Sequence, residues 1–594
     1  MQQTPKSFYR SRLQETEVLS NKLKRASAAW LTAKIIIFLT GALFVYLGFS
    51  QGWSGNVYGV LLSFVIYLAA AKLDARNLNR IETATRLKTT LENELKALDG
   101  DFSAYPNGKE YINPSHEYAY DLDLFGEKSL FQRLNRTITK EGSDRLAFLL
   151  DNYPKDESLI NARNRAIREL SRNGGDLMAI TSIPRQEESR LRKYVQILKE
   201  RDTAHTGSFW GWKEVMAVIF LILTWSVLLC AISGLCSWYI AGTLFFLQLL
   251  TGFMLSKRSG QMIGETEGLH KSFSAYLSIL HFMRERQFET PLLQAISGEL
   301  VTAESSFKHL SNLVQAIYCR LNDVMFVLMN SLFMFDVFMI RSYECWKTQA
   351  VRHMSHWLDL MADTDALLSL AVYTFNHPEN TDARFLEKDS PNIIEARDMY
   401  HPFLAEKKAI GNDLVLKSSE MMIVTGANMA GKSTFLRTVG TNYVMAMNGI
   451  PVCAKAFGIK DVALFSSMRT ADNLASDISY FHAELLRLEQ LVDFCKKQPH
   501  TLIILDEILK GTNSEDKLKG SILFLKKILR LPVTGIVATH DLKLSELEEE
   551  DSHFQNYCFE IGLGKDISYS YKIKKGVARN LNATYLLNEI LEKI

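Results

Sequence analysis

The stretch MMIVTGANMAGKSTFLRTVGTNYVMAM, Met421–Met447, decides the fold of the C-terminal third of this chain. An apolar run suited to a buried strand leads into a glycine-spaced loop, and a helical pattern follows. Gly426 and Gly431–Lys432–Ser433 satisfy the pattern G-x-x-x-x-G-K-[ST]. Glycines at those places let backbone N–H groups wrap phosphate oxygens at a helix N-terminus. The candidate nucleotide-binding residues are therefore Gly426, Ala427, Asn428, Met429, Ala430, Gly431, Lys432, Ser433 and Thr434. In such a loop Lys432 reaches the β- and γ-phosphates and the Ser433 hydroxyl serves Mg²⁺, so ATP and Mg²⁺ are the expected cofactors.

Two further apolar strands end in polar groups. TLIILDE, Thr501–Glu507, closes on two carboxylates, and TGIVATH, Thr534–His540, closes on a histidine. Asp506 is expected to hold magnesium, Glu507 to orient and polarise an attacking water, and His540 to sense the γ-phosphate. Three strands that each end in a catalytic group predict an α/β domain with a mainly parallel sheet and its site at the C-terminal strand ends.

Outward from this domain the chain changes character. Its 594 residues exceed what one core organises. Lys plus Arg (68) nearly balance Asp plus Glu (66), which excludes a whole-molecule field that would draw in nucleic acid. The seven cysteines are scattered, with no C-x-x-C pair, against a disulfide framework or a zinc site. No charge occurs between Lys34 and Lys72, where IIIFLTGALFVYLGFS and VYGVLLSFVIYLAAA flank QGWSGN. Val215–Ser256 is again charge-free, with a turn near Ser233–Trp238. Each interval predicts a transmembrane hairpin. Neither turn carries Lys or Arg, whereas Arg76, Arg80, Arg190, Arg192, Lys193, Lys199, Lys257 and Arg258 flank the spans. The positive-inside tendency then puts both termini and the strand-rich domain in the cytoplasm and the protein in the inner membrane, with the lipid bilayer as a partner.

The expected organisation is a basic cytoplasmic N-terminus (1–28), a first transmembrane hairpin (29–72), and a helical stalk and linker (73–119). A helical body (120–209) follows, then a second hairpin (210–257), further long helices (258–394) and the P-loop domain (395–594). The Met- and Phe-rich stretch Met325–Met339, which contains Asp336, is expected to be packed helix core.

Taken together, GANMAGKST, ADNLASDISYFHAEL (Ala471–Leu485), LDEILKGTNSED (Leu505–Asp516) and ATHD resemble, in order and spacing, the motifs of the MutS family of DNA mismatch repair ATPases. SLFQRLNRTITKEGSDRLAFLL looks like that family's core segment, and EARDMYHPFL (Glu395–Leu404) like the passage into its ATPase domain. The resemblance covers roughly Tyr120 to the C-terminus, apart from the second hairpin. It implies an ABC-type ATPase fold beside all-α core and lever domains, and a homodimer in which Ser479 of one subunit completes its partner's ATP site. It also implies that Ile410–Asp413 lies beside the adenine.

Departures from the family pattern are informative. Ala427 and Ala430 replace Pro and Gly, which is tolerable if neither needs positive φ. Leu509 and Lys510 replace Gly and Arg after the carboxylates, and Ala409 stands where relatives stack an aromatic on adenine. Residues 1–119 carry a hairpin and stalk where mismatch-recognising relatives carry a reading domain, so a membrane-anchored variant is expected. Two functions remain open: an ATP-driven clamp that binds mismatched, branched or duplex DNA, or ATP-driven remodelling of a membrane or protein partner with no DNA binding.

Overall fold

The computed structural model describes residues 4–200, 211–266, 268–404, 409–469, 480–563 and 567–579. The chain forms two compact units: Met1–Arg136, Leu146–Ser182 and Leu368–Ile594 make the first, and Thr137–Arg145 with Ile183–Leu367 the second.

The first unit begins with two long helices, α1 (Pro5–Gln51) and α2 (Trp53–Leu98). Thr4 caps α1 through the Ser7 N–H, and Gly52 at φ 101° makes the turn between them. Each helix is roughly 70 Å long at 1.5 Å per residue. Basic terminus, apolar span and stalk, which read as separate segments, are thus continuous helix. Helical hydrogen bonds are internal to the segment, so a change of surroundings along the axis does not interrupt them. Phe38, Tyr46, Phe49, Tyr58 and Phe64 are exposed on the outer surface. Where the apolar interval starts, Lys34 of α1 meets Asp74 of α2 at 2.7 Å.

At its base this pair is locked into the unit. The buried Glu94 carboxylate accepts from Tyr105 Oη at 2.7 Å and Asn376 Nδ2 at 2.8 Å, and pairs with the buried Arg136 guanidinium. Arg136 also lies 3.5 Å over the Tyr105 ring. Every charge taken from water here has a partner, the condition for burying charge at tolerable cost. Three short helices follow, α3 (Leu130–Leu134), α4 (Lys140–Asp151) and α5 (Glu157–Ser171), then α6 (Gly174–Thr181). The chain crosses between units inside α4.

The second unit is helical: α7 (Arg190–Glu200), α8 (Trp212–Ile232), α9 (Trp238–Thr266), α10 (Leu269–Glu285), α11 (Pro291–Cys319), α12 (Asp323–Phe333) and α13 (Phe335–Asn376), the last of which runs on into the first unit. Phe273, Tyr276, Met283, Phe307, Met354 and Leu358 fill its core. The expectation of packed core for Met325–Met339 needs correction. The chain bends by 88° between α12 and α13, and Val327, Leu328 and Phe333 are exposed. Among the described residues three helices are long and apolar enough to cross a membrane: Pro5–Gln51, Gly55–Leu98 and Glu214–Ile232. The bent α12–α13 pair makes a fourth if counted as one span. The apolar part of α9, Trp238–Thr251, lies in the segment expected to make the second crossing of that hairpin.

The rest of the first unit carries two sheets. Strands β1 (Arg384–Phe385), β2 (Asn392–Met399) and β3 (Asn412–Lys417) precede β4 (Met421–Gly426) and helix α14 (Lys432–Met447). After these come β5 (Ala456–Ile459), β6 (Ala463–Ser467), α15 (Tyr480–Lys497), β7 (Thr501–Asp506), α16 (Ser514–Ile528), β8 (Val533–Thr539), α17 (Leu547–Glu550), β9 (Phe554–Leu563) and β10 (Ile567–Lys575). The small sheet has the order β1-β5-β2-β3, so the boundary placed at 394/395 falls inside β2. The large sheet has the order β10-β9-β4-β8-β7-β6 and is parallel except at β10, as its continuous apolar strands predict. One face packs Met421, Ile423, Ile503, Leu505 and Val537 against Leu491 of α15 and Leu525 of α16.

Candidate functional site

The parallel register brings three sequence-distant groups to one edge. Thr425 pairs with Thr539 and Asp506 with Ala538, so β4, β7 and β8 end side by side. The loop 426–431 leaves β4, the carboxylates leave β7, and His540 follows β8.

The backbone of the loop explains its residue types. Gly426 has φ 154° and Gly431 φ 106°, and a Cβ at 426 would lie 2.9 Å from the Phe559 carbonyl. Met429 also adopts positive φ, at 64°, whereas Ala427 and Ala430 do not, so the two alanines fit where relatives have Pro and Gly. Met429 is exposed, Ala430 buried, and Ser433 and Thr434 are exposed on the first turn of α14. Asn428 is likewise exposed.

Lys432 folds back into this loop. Its ammonium donates to the Gly426 carbonyl at 2.7 Å and the Ala427 carbonyl at 3.0 Å. Burial lowers its pKa to about 8, against the opposing pull of Asp506 and Glu507. His540 lies beside it, Nδ1 at 3.4 Å and Nε2 at 3.3 Å from the ammonium, while Nε2 also approaches Glu507 Oε1 at 3.1 Å. A proton on Nε2 lets the neutral ring donate to Glu507. Burial, then the Lys432 charge, push the imidazole below its ordinary value, so it is neutral at neutral pH. Burial works to raise the Glu507 carboxyl, but Lys517 at 3.2 Å, followed by His540, outweighs it and holds the group below the usual glutamate range. Glu507 sits at φ 57°, its N–H bonded to the Ala538 carbonyl at 2.9 Å. Left-handed backbone at a non-glycine residue costs about 1–2 kcal/mol, and it turns the carboxylate back over the sheet edge.

Beside the loop lies a cavity of about 320 Å³ bordered by His401, Ile410, Thr434, Phe435, Phe559 and Tyr571, among others. Burial lowers the pKa of His401 to about 4, so the wall is uncharged. Ile410 and Asn412 reach the cavity, as expected for Ile410–Asp413. Asn412, however, spends its amide as a staple: Oδ1 accepts from the Ile573 N–H at 2.9 Å and Nδ2 donates to the Tyr571 carbonyl at 3.1 Å. Tyr571, at φ 49° in the irregular register of β9 and β10, stands close enough that a Cβ on Gly431 would meet its ring at 3.1 Å. An aromatic wall is thus present although position 409 is alanine. Tyr571 lies far beyond the last motif and carried no signal in the sequence.

Two other residues were missed. Glu484 of α15 is buried and accepts from Lys510 N–H at 2.9 Å and Gly511 N–H at 3.3 Å, holding the loop that follows the carboxylates. Its place on the inner face of an amphipathic helix was the available clue. Asp123 receives Arg437 of α14 at 2.8 Å and Arg469 at 2.6 Å, tying the segment Tyr120–Leu124 to the phosphate-loop helix. Ser479 lies outside the described residues, as does the rest of Ala471–Ser479.

This geometry defines an α/β domain in which a glycine-rich turn, two carboxylates and a neutral histidine gather at one sheet edge, and Gly431 of that turn borders an aromatic-walled cavity. Residues 422–585 match the family described as MutS domain V. The chain is 32% identical over 234 residues to the DNA mismatch repair protein MutS of Acetivibrio thermocellus, covering 37% of this chain and 26% of that protein. To the MutS protein homolog 4 of Mus musculus it is 26% identical over 239 residues, 38% of this chain and 24% of that protein. It is 33% identical over 186 residues to the MutS protein of Aquifex pyrophilus, 30% and 21% respectively. The C-terminal part of the chain thus carries a MutS-family domain. It spans about a quarter of the length of the curated relatives it matches.

Proposed function

We propose that this protein is a membrane-anchored ATPase in which ATP binding and hydrolysis drive closure of a dimeric clamp on DNA. The reading is carried by one observation: at the ends of adjacent parallel strands His540 touches both Lys432 of the glycine-rich loop and Glu507, and Gly431 of the same loop borders an uncharged aromatic cavity. An uncharged slot with an aromatic wall suits a purine, and the loop at its mouth suits phosphates. Lys432 exchanges its two carbonyl contacts for phosphate oxygens and so senses occupancy. Ser433 and Asp506 would hold Mg²⁺, whose charge offsets that on the phosphate oxygens when it is bound. Glu507, ionised and turned over the edge, orients a water and accepts its proton, while neutral His540 holds Glu507 through Nε2 and lies against the Lys432 ammonium.

DNA as the ligand of the clamp follows from the family and from the names of the relatives, which include DNA mismatch repair proteins. The second reading, remodelling of a membrane or protein partner without DNA, draws on the stalk. The base of α1–α2 is locked by Glu94 and Arg136 into the unit that holds the phosphate loop. Anchorage in the inner membrane, with the strand-rich domain and both termini cytoplasmic, follows from the charge-free helices and the basic residues flanking them.

In detergent, the parent chain is expected to hydrolyse ATP with Mg²⁺. Ser479→Arg and Lys432→Ala chains, each inactive alone, are expected to regain part of that activity when mixed, because a heterodimer keeps one intact composite site. No recovery in any mixture, with turnover per chain independent of concentration, overturns the dimeric site. DNA affinity that falls steeply with salt and responds to ATP selects the clamp. Its absence, with ATPase intact, selects remodelling.

A further inference from the structure

The second unit contains a helix whose polarity runs opposite to that of a helix in water. After its exposed first residue, Asp323, the polar side chains of α12 face inward: Asn330 and Ser331 are fully buried. Its apolar residues face out, with Val324 66%, Leu328 42% and Phe333 43% exposed. A helix on an aqueous surface turns its polar stripe outward, so the medium around α12 is apolar. No charge occurs from Val324 to Phe335.

Two further features fit. α12 packs on α9 and on α8, and Trp225 of α8 donates its indole N–H to the Leu332 carbonyl at 3.1 Å, with its ring 5.9 Å from that of Phe333. The outward face of α12 therefore continues the exposed apolar surface of the hairpin, which includes Ile222 and Leu229. A run of exposed apolar side chains of this kind marks a surface that meets lipid or a partner rather than water. The elbow after α12 is internally satisfied as well. Met334 at φ 49° turns the chain, and the Asp336 N–H donates to Asn330 Oδ1 at 3.0 Å. The Asp336 carboxylate receives Arg320 at 2.8 Å and Asn330 Nδ2 at 3.3 Å. Charges near hydrocarbon are found paired in this way. At 1.5 Å per residue α12 is roughly 16 Å long, about half the hydrocarbon thickness.

We propose that α12 is a membrane-inserted helix, too short to cross, whose outer face of Val324, Leu328 and Phe333 contacts lipid acyl chains beside the α8–α9 hairpin. The proposal rests on the membrane reading of that hairpin.

The test is site-directed spin labelling of the full-length chain in liposomes of phosphatidylethanolamine and phosphatidylglycerol. Cys230, Cys236, Cys319 and Cys345 are first replaced by Ala, leaving the buried Cys453, Cys495 and Cys558. Labels are placed through Val324→Cys, Leu328→Cys and Phe333→Cys, with Ile222→Cys on α8 and His356→Cys on the exposed part of α13 as references. Proteins whose thermal transition matches the parent's are compared by collision with oxygen, which partitions into lipid, and with a nickel chelate, which stays in water. The expected oxygen-to-nickel ratio at the three α12 sites equals that at Ile222 and exceeds that at His356 several-fold. Nickel access at α12 like that at His356, with Ile222 lipid-exposed, overturns the proposal and leaves the hairpin in place. Protection of α12 from both reagents means that protein covers it, which also overturns the proposal. Nickel access at Ile222 itself overturns the hairpin reading, and the proposal with it.

Discussion

The stalk base and the phosphate loop both take charged side chains out of water, and they do so in opposite ways. Around Glu94 the partners Arg136, Asn376 and Tyr105 satisfy the carboxylate, and carboxylate and guanidinium are both buried. Around Lys432 the ammonium leans on two backbone carbonyls and an imidazole, and Glu507 adopts a left-handed backbone. The first arrangement has nothing left to bind. The second holds a cation whose contacts another ligand could improve, which separates a cluster that fixes structure from one prepared for chemistry.

Four expected outcomes break or sharpen that contrast. The largest lies at the phosphate loop: Glu507→Gln should lower kcat for ATP roughly 10²–10⁴-fold while leaving ATP bound, the range for loss of a general base. Lys432→Ala should abolish binding altogether. Steady-state hydrolysis and filter binding read both, and equal turnover in Glu507→Gln and the parent would remove Glu507 from its role.

At the stalk base the damage should fall on stability instead. Arg136→Met strands Glu94 and should cost about 3–5 kcal/mol, whereas the double variant Glu94→Met/Arg136→Met should recover most of it. Denaturant unfolding in detergent measures the difference, with ATP affinity in folded protein unchanged. A double variant no better than the single one would mean that the charges were not what the site buries.

A smaller effect is expected in the cavity. Tyr571→Ala should raise the KM for ATP roughly 3–10-fold, the scale of one aromatic contact, with kcat little altered. Inorganic triphosphate, which has no base, should bind parent and variant alike. Equal losses for both ligands would move Tyr571 from base contact to loop support.

The smallest effect is a pH dependence. Lys432 titrates at about 8 in the folded protein, below the ordinary lysine value of 10.5. Binding to phosphate needs its charged form, so ATP affinity should fall roughly threefold between pH 7.5 and 8.5, with proton uptake on binding near pH 8. Calorimetry in buffers of different ionisation enthalpy detects that uptake. The sign for stability is the reverse. The unfolded chain holds this proton up to higher pH, so the ligand-free protein gains stability from Lys432 as pH rises from about 8 to 10.5. Affinity flat across this window would mean that Lys432 keeps its ordinary value.

Local chemistry was legible in the residues alone. A phosphate-cradling loop needs Gly426 and Gly431 because two backbone torsions demand them, and a strand buried on both faces must read as a continuous apolar run. Parallel strands ending in Asp506–Glu507 and just before His540 followed from those runs. The charge-free intervals were equally plain, and long apolar helices cover them. What only the tertiary structure decided depends on contacts between residues far apart in the chain. Tyr571 became a wall of the cavity because β10 folds back on β9 and bulges beside Gly431, more than a hundred residues from the loop. Glu94 found Arg136 because a stalk helix returns to the helical body. Met325–Met339 read as core because hydrophobicity states that a side chain avoids water, not whether protein or lipid replaces it. The inward turn of Asn330 and the outward turn of Val324 and Leu328 required the bend at Met334.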